Sequence, residues 1–194
     1  MVRHFSGVSL YNPQTKTFRS ITPMGRANLD IRTFCEDNQH RIWIGCSEGI
    51  YIYDPDKMEV IQHYHSGNSE LHGNLIRTIE QDDKGRFWIG TFGDGMGVYS
   101  PDFHLIKHYI QREGFCSNTN QIYEDKEKRI WVATGDGLVC FRSPEDTDYQ
   151  TYQRKDGFAN TFIQAITEDQ QGNIWFSTNK GIGCYVTKKK RFYY

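Results

Sequence analysis

Short apolar runs, broken by polar and glycine-rich stretches, follow one another along the whole chain, and none carries a sustained helical period. The clearest stretch, ITEDQQGNIWFSTNKGIGCY (Ile166 to Tyr185), occurs four times. Its other copies are FCEDNQHRIWIGCSEGIYIY (Phe34 to Tyr53), IEQDDKGRFWIGTFGDGMGVY (Ile79 to Tyr99) and IYEDKEKRIWVATGDGLVCF (Ile122 to Phe141). Their tryptophans, Trp43, Trp88, Trp131 and Trp175, stand 45, 43 and 44 residues apart. A fixed period in the forties with one Trp per unit marks a repeat array.

Alignment on Trp shows which positions keep their chemistry. An acid lies six residues before it (Asp37, Asp82, Asp125, Asp169), and apolar residues flank it on both sides. A glycine follows six or seven residues later (Gly49, Gly95, Gly137, Gly181), then an apolar residue and an aromatic one. Apolar runs bounded by Gly, Asn and Asp predict strands. In the first complete copy these are about Ile31–Glu36, Ile42–Cys46, Ile50–Asp54 and Glu59–Tyr64. The recurring Asp suits the first hairpin turn, where its carboxylate bonds nearby backbone N–H groups. A single active site would not need four copies of it.

Ile-Trp-Ile is apolar on both faces and demands cover on both. A four-stranded unit cannot supply that alone. Units placed around a common axis can, so the fold expected is an all-β partial propeller of four-stranded antiparallel blades. Residues 1–194 form one such domain of about four and a half blades, at roughly 1–22 (last two strands only), 27–65, 72–110, 117–153 and 160–194. Both ends read as interrupted units, and the chain reads as a segment of a longer propeller. Open blade edges predict self-association.

Composition narrows the function. With 23 basic and 24 acidic residues the net charge is −1, which gives no footprint for nucleic acid or an anionic membrane. The sequence shows no bilayer-spanning stretch and no signal peptide. Five cysteines without a CxxC indicate no zinc site, and Cys140 and Cys184, at one repeat position, read as small core residues. His63 and His65 share a strand face at a spacing that suits a metal, yet His63 and His108 are repeat-equivalent on the outer strand; no metal and no cofactor is expected. No phosphate loop, HExxH or GxSxG occurs, so no catalytic residue is assigned.

Binding is expected on the face carrying the unit-to-unit connectors (Thr22–Ala27, His65–Gly73, Gln111–Ser117, Arg154–Asn160) and the loops after the Trp strand. This places candidate ligand contacts at His72, Phe92, Asp94, Asn179 and Lys180. Arg32 and Arg77, both 11 before Trp on the innermost strand, join them. These arginines either line a central channel and meet an anionic ligand or pair with neighbouring acids.

The fourth copy, preceded by DGFANTFIQAI, resembles the two-component regulator propeller repeat in Asp156-Gly157-Phe158, Asn160, Glu168-Asp169, Gly172-Asn173-Ile174-Trp175, Thr178 and Gly181-Ile182. The third copy departs from the pattern, with Ala133 in place of Gly and Lys128 in place of the turn glycine. The resemblance implies the periplasmic sensor of a hybrid two-component histidine kinase of Bacteroidetes-type bacteria. In that family two seven-bladed propellers precede an Ig-like domain, a membrane helix and the kinase, and many members respond to oligosaccharides. It implies a non-catalytic segment whose partners are an oligosaccharide and the remaining blades of the parent. The same stretch is also similar to the streptogramin-lyase repeats, a propeller enzyme family that uses a His and a divalent metal, for which His72 is the candidate here. A protein-interaction propeller of the WD-repeat kind is a third reading, but Gly-His and Trp-Asp pairs are missing from the required places.

Overall fold

The strands carrying Trp43, Trp88 and Trp131 lie inside sheets covered on both faces, whereas the Trp175 strand lies in a sheet with one open face. The computed structural model describes residues 2–4, 7–21, 29–111, 115–142, 148–158 and 160–194. Within them the strands form five antiparallel meanders. The first has three strands, β1 (Val2–His4), β2 (Gly7–Asn12) and β3 (Thr17–Ile21). The second holds β4 (Ile31–Glu36), β5 (Ile42–Cys46), β6 (Gly49–Asp54) and β7 (Glu59–Tyr64). The third holds β8 (Ile76–Gln81), β9 (Phe87–Thr91), β10 (Met96–Tyr99) and β11 (Leu105–Tyr109). The fourth holds β12 (Thr119–Glu124), β13 (Ile130–Thr134), β14 (Gly137–Phe141) and β15 (Tyr149–Tyr152). The fifth holds β16 (Ile163–Glu168), β17 (Ile174–Thr178), β18 (Gly181–Val186) and β19 (Arg191–Tyr193).

The inner strands β4, β8, β12 and β16 neighbour one another in order, so the sheets fan as blades of a partial β-propeller. The four strands read for the first complete copy stand where the sequence puts them, the third starting one residue earlier at Gly49. One expectation needs correcting. The N-terminal unit has three strands, not two, because Val2–His4 still pairs antiparallel with Gly7–Ser9. The expected connector Thr22–Ala27, residues 112–114 and Ala159 lie outside the described residues.

Every core lies between two successive sheets. Trp43, Ile50 and Ile52 of the second pack on Ile76, Ile79, Phe87 and Ile89 of the third. Trp88 and Met96 of the third pack on Ile122, Val132 and Phe141 of the fourth, and Trp131 and Leu138 of the fourth on Ile163, Ile166 and Phe176 of the fifth. The rings meet directly: Trp43 stacks on Phe87 at 3.8 Å, and Trp88 meets Phe141 edge-on at 5.2 Å. Burying a ring of this size removes on the order of 150–250 Å² from water, roughly 4–6 kcal/mol. The sheets therefore depend on their neighbours. Trp175, on the outer face of the fifth sheet, remains 39% exposed, where the other three tryptophans are 1–2% exposed.

The glycine at the start of the third strand, or just before it as at Gly95, is dictated by close backbone approach. At Gly95 φ is +76°, and an added Cβ would stand 2.1 Å from the Tyr109 carbonyl oxygen.

Candidate functional site

The repeated Asp is a structural node. Asp82 Oδ1 accepts from the N–H groups of Lys84 (3.0 Å) and Arg86 (2.9 Å), and Oδ2 from Arg86 Nε (2.8 Å) and Trp88 Nε1 (2.9 Å). Asp37, Asp125 and Asp169 repeat the arrangement onto Trp43, Trp131 and Trp175 at 2.8, 2.7 and 2.9 Å. The turn was legible in the sequence; the bond to the indole was not. The six-residue Asp–Trp spacing is the only trace of it. Burial acts to raise the Asp37 carboxyl, but donation from Trp43 and Arg41 outweighs it and holds the pKa below the usual range. At Asp169 the Trp175 bond leads, and the pKa falls to about 2.

The loop after the Trp strand is fixed by a second repeated device. Thr91 Oγ1 donates to the Gly95 carbonyl (2.9 Å) and accepts from the Asp94 N–H (3.1 Å). Thr134 and Thr178 repeat this with Gly137 and Gly181, and Cys46 substitutes with its thiol to the Gly49 carbonyl at 3.4 Å. The outer strand adds a latch. His63 Nε2 donates to the Glu48 carbonyl (2.9 Å), His108 Nε2 to that of Asp94 (2.7 Å) and Gln153 Nε2 to that of Asp136 (2.9 Å). Among the described residues no group of three His, Cys, Asp or Glu side chains is placed to hold a metal.

Against this uniform frame the inner strands carry a β-bulge at one repeated place. Pairing slips between Ile31 and Thr33, Ile76 and Thr78, Thr119 and Gln121, and Ile163 and Ala165. The extra residues are Arg32, Arg77, Asn120 and Gln164, the positions 11 before Trp. A bulge re-aims its side chain out of the ladder. Only the second and third sheets place a guanidinium there. Asn120 Nδ2 donates to the Ile163 carbonyl (2.7 Å), and Gln164 Nε2 to Asn179 Oδ1.

The sequence-predicted residues fall into three places. Arg32, Arg77 and Phe92 line one cleft of about 190 Å³ between the second and third sheets. Arg32 pairs with Asp30, and Arg77 lies over the Phe92 ring at 5.0 Å. His72 and Asp94 sit together at a second place. The His72 ring is 3.8 Å from that of His108, its Nδ1 lies 2.9 Å from the Glu70 carbonyl, and a Cβ on Gly73 would fall 2.3 Å from Asp94 Oδ2. Asn179 and Lys180 occupy the fifth sheet's loop, apart from both. Sequence reasoning missed Asp30, Ser47 and Leu75 in the cleft. Ser47 was available, being the residue four after Trp43 as Phe92 is four after Trp88.

A family model described as the two component regulator propeller matches residues 25–48, 70–93, 114–136 and 157–180. The chain is 50% identical to the extracellular domain of a protein described as a hybrid two component system, BT3049 of B. thetaiotaomicron, with a TM-score of 0.93 over 97% of this chain and 26% of that one. It is 27% identical over 164 residues to Histidine kinase P4 of Formosa agariphila, covering 78% of this chain and 12% of the kinase. A virginiamycin B lyase from Staphylococcus aureus matches at 13% identity and a TM-score of 0.73, over 97% of this chain and 62% of that one. That likeness is one of fold alone. The chain spans about a quarter or less of the sensor domain and the kinase that it resembles.

Proposed function

The chain belongs to the two-component regulator propeller family, and from that premise we propose that it is a ligand-sensing, non-catalytic segment of the periplasmic sensor of a hybrid two-component histidine kinase. The ligand is an oligosaccharide, and binding signals polysaccharide availability to the kinase of the parent protein. The observation that supports this reading most is the 50% identity, over nearly the whole chain, to the extracellular domain of a hybrid system. The frame supports it too: uniform blades fix loops whose side chains differ from unit to unit, as a recognition surface requires. Among the described residues no helix is long and apolar enough to cross a membrane; the likeness to an extracellular domain supports a place outside the bilayer.

Calorimetric titration with a panel of plant, algal and host-glycan oligosaccharides tests the reading. One glycan class is expected to bind, with no turnover of any panel member or of a streptogramin with or without Mg²⁺. Metal-dependent streptogramin opening that is lost on His72→Ala would replace the sensor by a lyase. Capture of a protein partner with no saccharide binding would replace it by an interaction platform.

A further inference from the structure

The cleft between the second and third sheets differs from its repeat-equivalents in charge, and that difference specifies a ligand group. Its guanidiniums come from the same bulge in adjacent inner strands, where the next two sheets present amides spent on protein acceptors. Arg32 is matched by Asp30. The guanidinium of Arg77 has no hydrogen bond or ion pair among the described residues; its Cζ lies over the Phe92 ring, 5.0 Å from the centroid, so its N–H donors are not spent on a protein acceptor there. Among the described residues that line the cleft, two arginines against one aspartate leave one net positive charge.

Phe92 is held from both sides. Its N–H donates to the Leu75 carbonyl at 2.9 Å, and it bridges to Asn118 of the following unit. Gly93 and Gly95 N–H groups both reach the Ser117 carbonyl, at 3.1 and 2.9 Å. The ring is nonetheless 48% exposed, and Leu75 beside it is 46% exposed. A rigid, wet aromatic face next to an unspent guanidinium fork offers two things at once. The ring packs the apolar C–H face of a pyranose, and the fork takes a planar carboxylate in two parallel hydrogen bonds.

We propose that this cleft, built by Arg77, Phe92, Arg32, Asp30 and Ser47, binds a uronic-acid residue, so that the saccharide sensed is an acidic one. The proposal rests on the sensor reading above and narrows it. The carboxylate sits on Arg77, the sugar face on Phe92, and the Arg32–Asp30 pair and the Ser47 hydroxyl meet the ring hydroxyls.

Methyl β-D-glucuronide and methyl β-D-glucoside, which differ only in carboxylate against hydroxymethyl, test this on the intact chain by NMR titration. The glucuronide is expected to bind at least tenfold more tightly. Arg77→Gln should abolish that preference, and Phe92→Ala should weaken both sugars while leaving the Arg77-dependent shifts with inorganic sulfate in place. Both side chains are partly exposed, so an unchanged amide spectrum away from the cleft certifies the fold of each variant. Equal affinity for the two glycosides would overturn the acidic ligand and leave the saccharide reading standing. Sulfate binding at Arg77 without either glycoside would overturn the proposal and the saccharide reading together. Glucuronide binding untouched by Arg77→Gln would overturn the assigned site.

Discussion

A carboxylate that bonds an indole N–H, a guanidinium and its own turn is worth most where water is excluded. Asp82 is 1% exposed and serves Trp88 and Arg86 together; Asp169 serves Trp175 and the Asn173 amide, with no guanidinium, at a sheet with no sheet beyond it among the described residues. Asp82→Ala leaves a buried indole donor and a mostly buried guanidinium without their acceptor, a loss on the order of 3–5 kcal/mol. Asp169→Ala, with Trp175 partly in water, should cost clearly less. Urea unfolding of both variants checks the ranking, and equal losses would remove burial as the cause. The sequence showed the acid and the tryptophan at fixed spacing, yet gave their contact no signature, because six residues across a hairpin is a geometry and not a composition.

At the scale of the element, successive sheets are tied by side chains that accept from the backbone of the neighbouring sheet. Gln81 Oε1 takes the Asn38 N–H at 2.7 Å, Thr78 Oγ1 takes that of Ile122 at 3.2 Å and Gln121 Oε1 takes that of Ile166 at 2.7 Å. Glu80 occupies this interface as an acid. Burial pushes its pKa up to about 7; the Glu124 N–H opposes the shift, and the Glu124 charge adds to it. The folded state therefore holds a proton that the unfolded chain releases near the ordinary glutamate value of 4.5. Stability from this group is full below about pH 4.5, declines as pH rises toward 7 and is flat above. The difference amounts to about 1–3 kcal/mol. Glu80→Gln should flatten that limb in urea midpoints measured from pH 5 to 8, and an unchanged limb would assign it elsewhere. Strand positions were readable because period-two patterning and turn residues are local. The bulge at Arg32 and Arg77 was not, since one unpaired residue leaves the pattern of apolar positions nearly unchanged. Both arginines were nonetheless picked out by their shared offset from Trp. Of the two readings the offset left open, Arg32 follows the acid-paired one through Asp30, while Arg77 lies over the Phe92 ring.

At the scale of the whole molecule, repetition made the architecture legible and hid the site. Four similar units announce a fan of sheets, but contact between loops of different units depends on how the sheets are rotated about the axis. For that reason His72 and Asp94 lie at one place and Asn179 and Lys180 at another, although sequence grouped all four with Phe92. The fifth sheet presents Trp175 and Ile182, the latter 66% exposed, on the face that in the other blades meets a following sheet. We propose that a second copy of this chain covers this face. Ile182→Lys should lower the concentration-dependent mass seen by light scattering without lowering the unfolding midpoint. A wild-type mass that stays monomeric at high concentration would exclude the second copy.

In the function proposed above, a uniform scaffold carries one chemically distinct cleft where a saccharide is read. Hydrogen exchange of the chain with and without the oligosaccharide selected by calorimetry tests it most directly. Protection is predicted at residues 30–32, 47–48, 75–77 and 92–95, with the outer strands unchanged. Protection confined to the outer strands, or none at these four segments at saturating ligand, would contradict it.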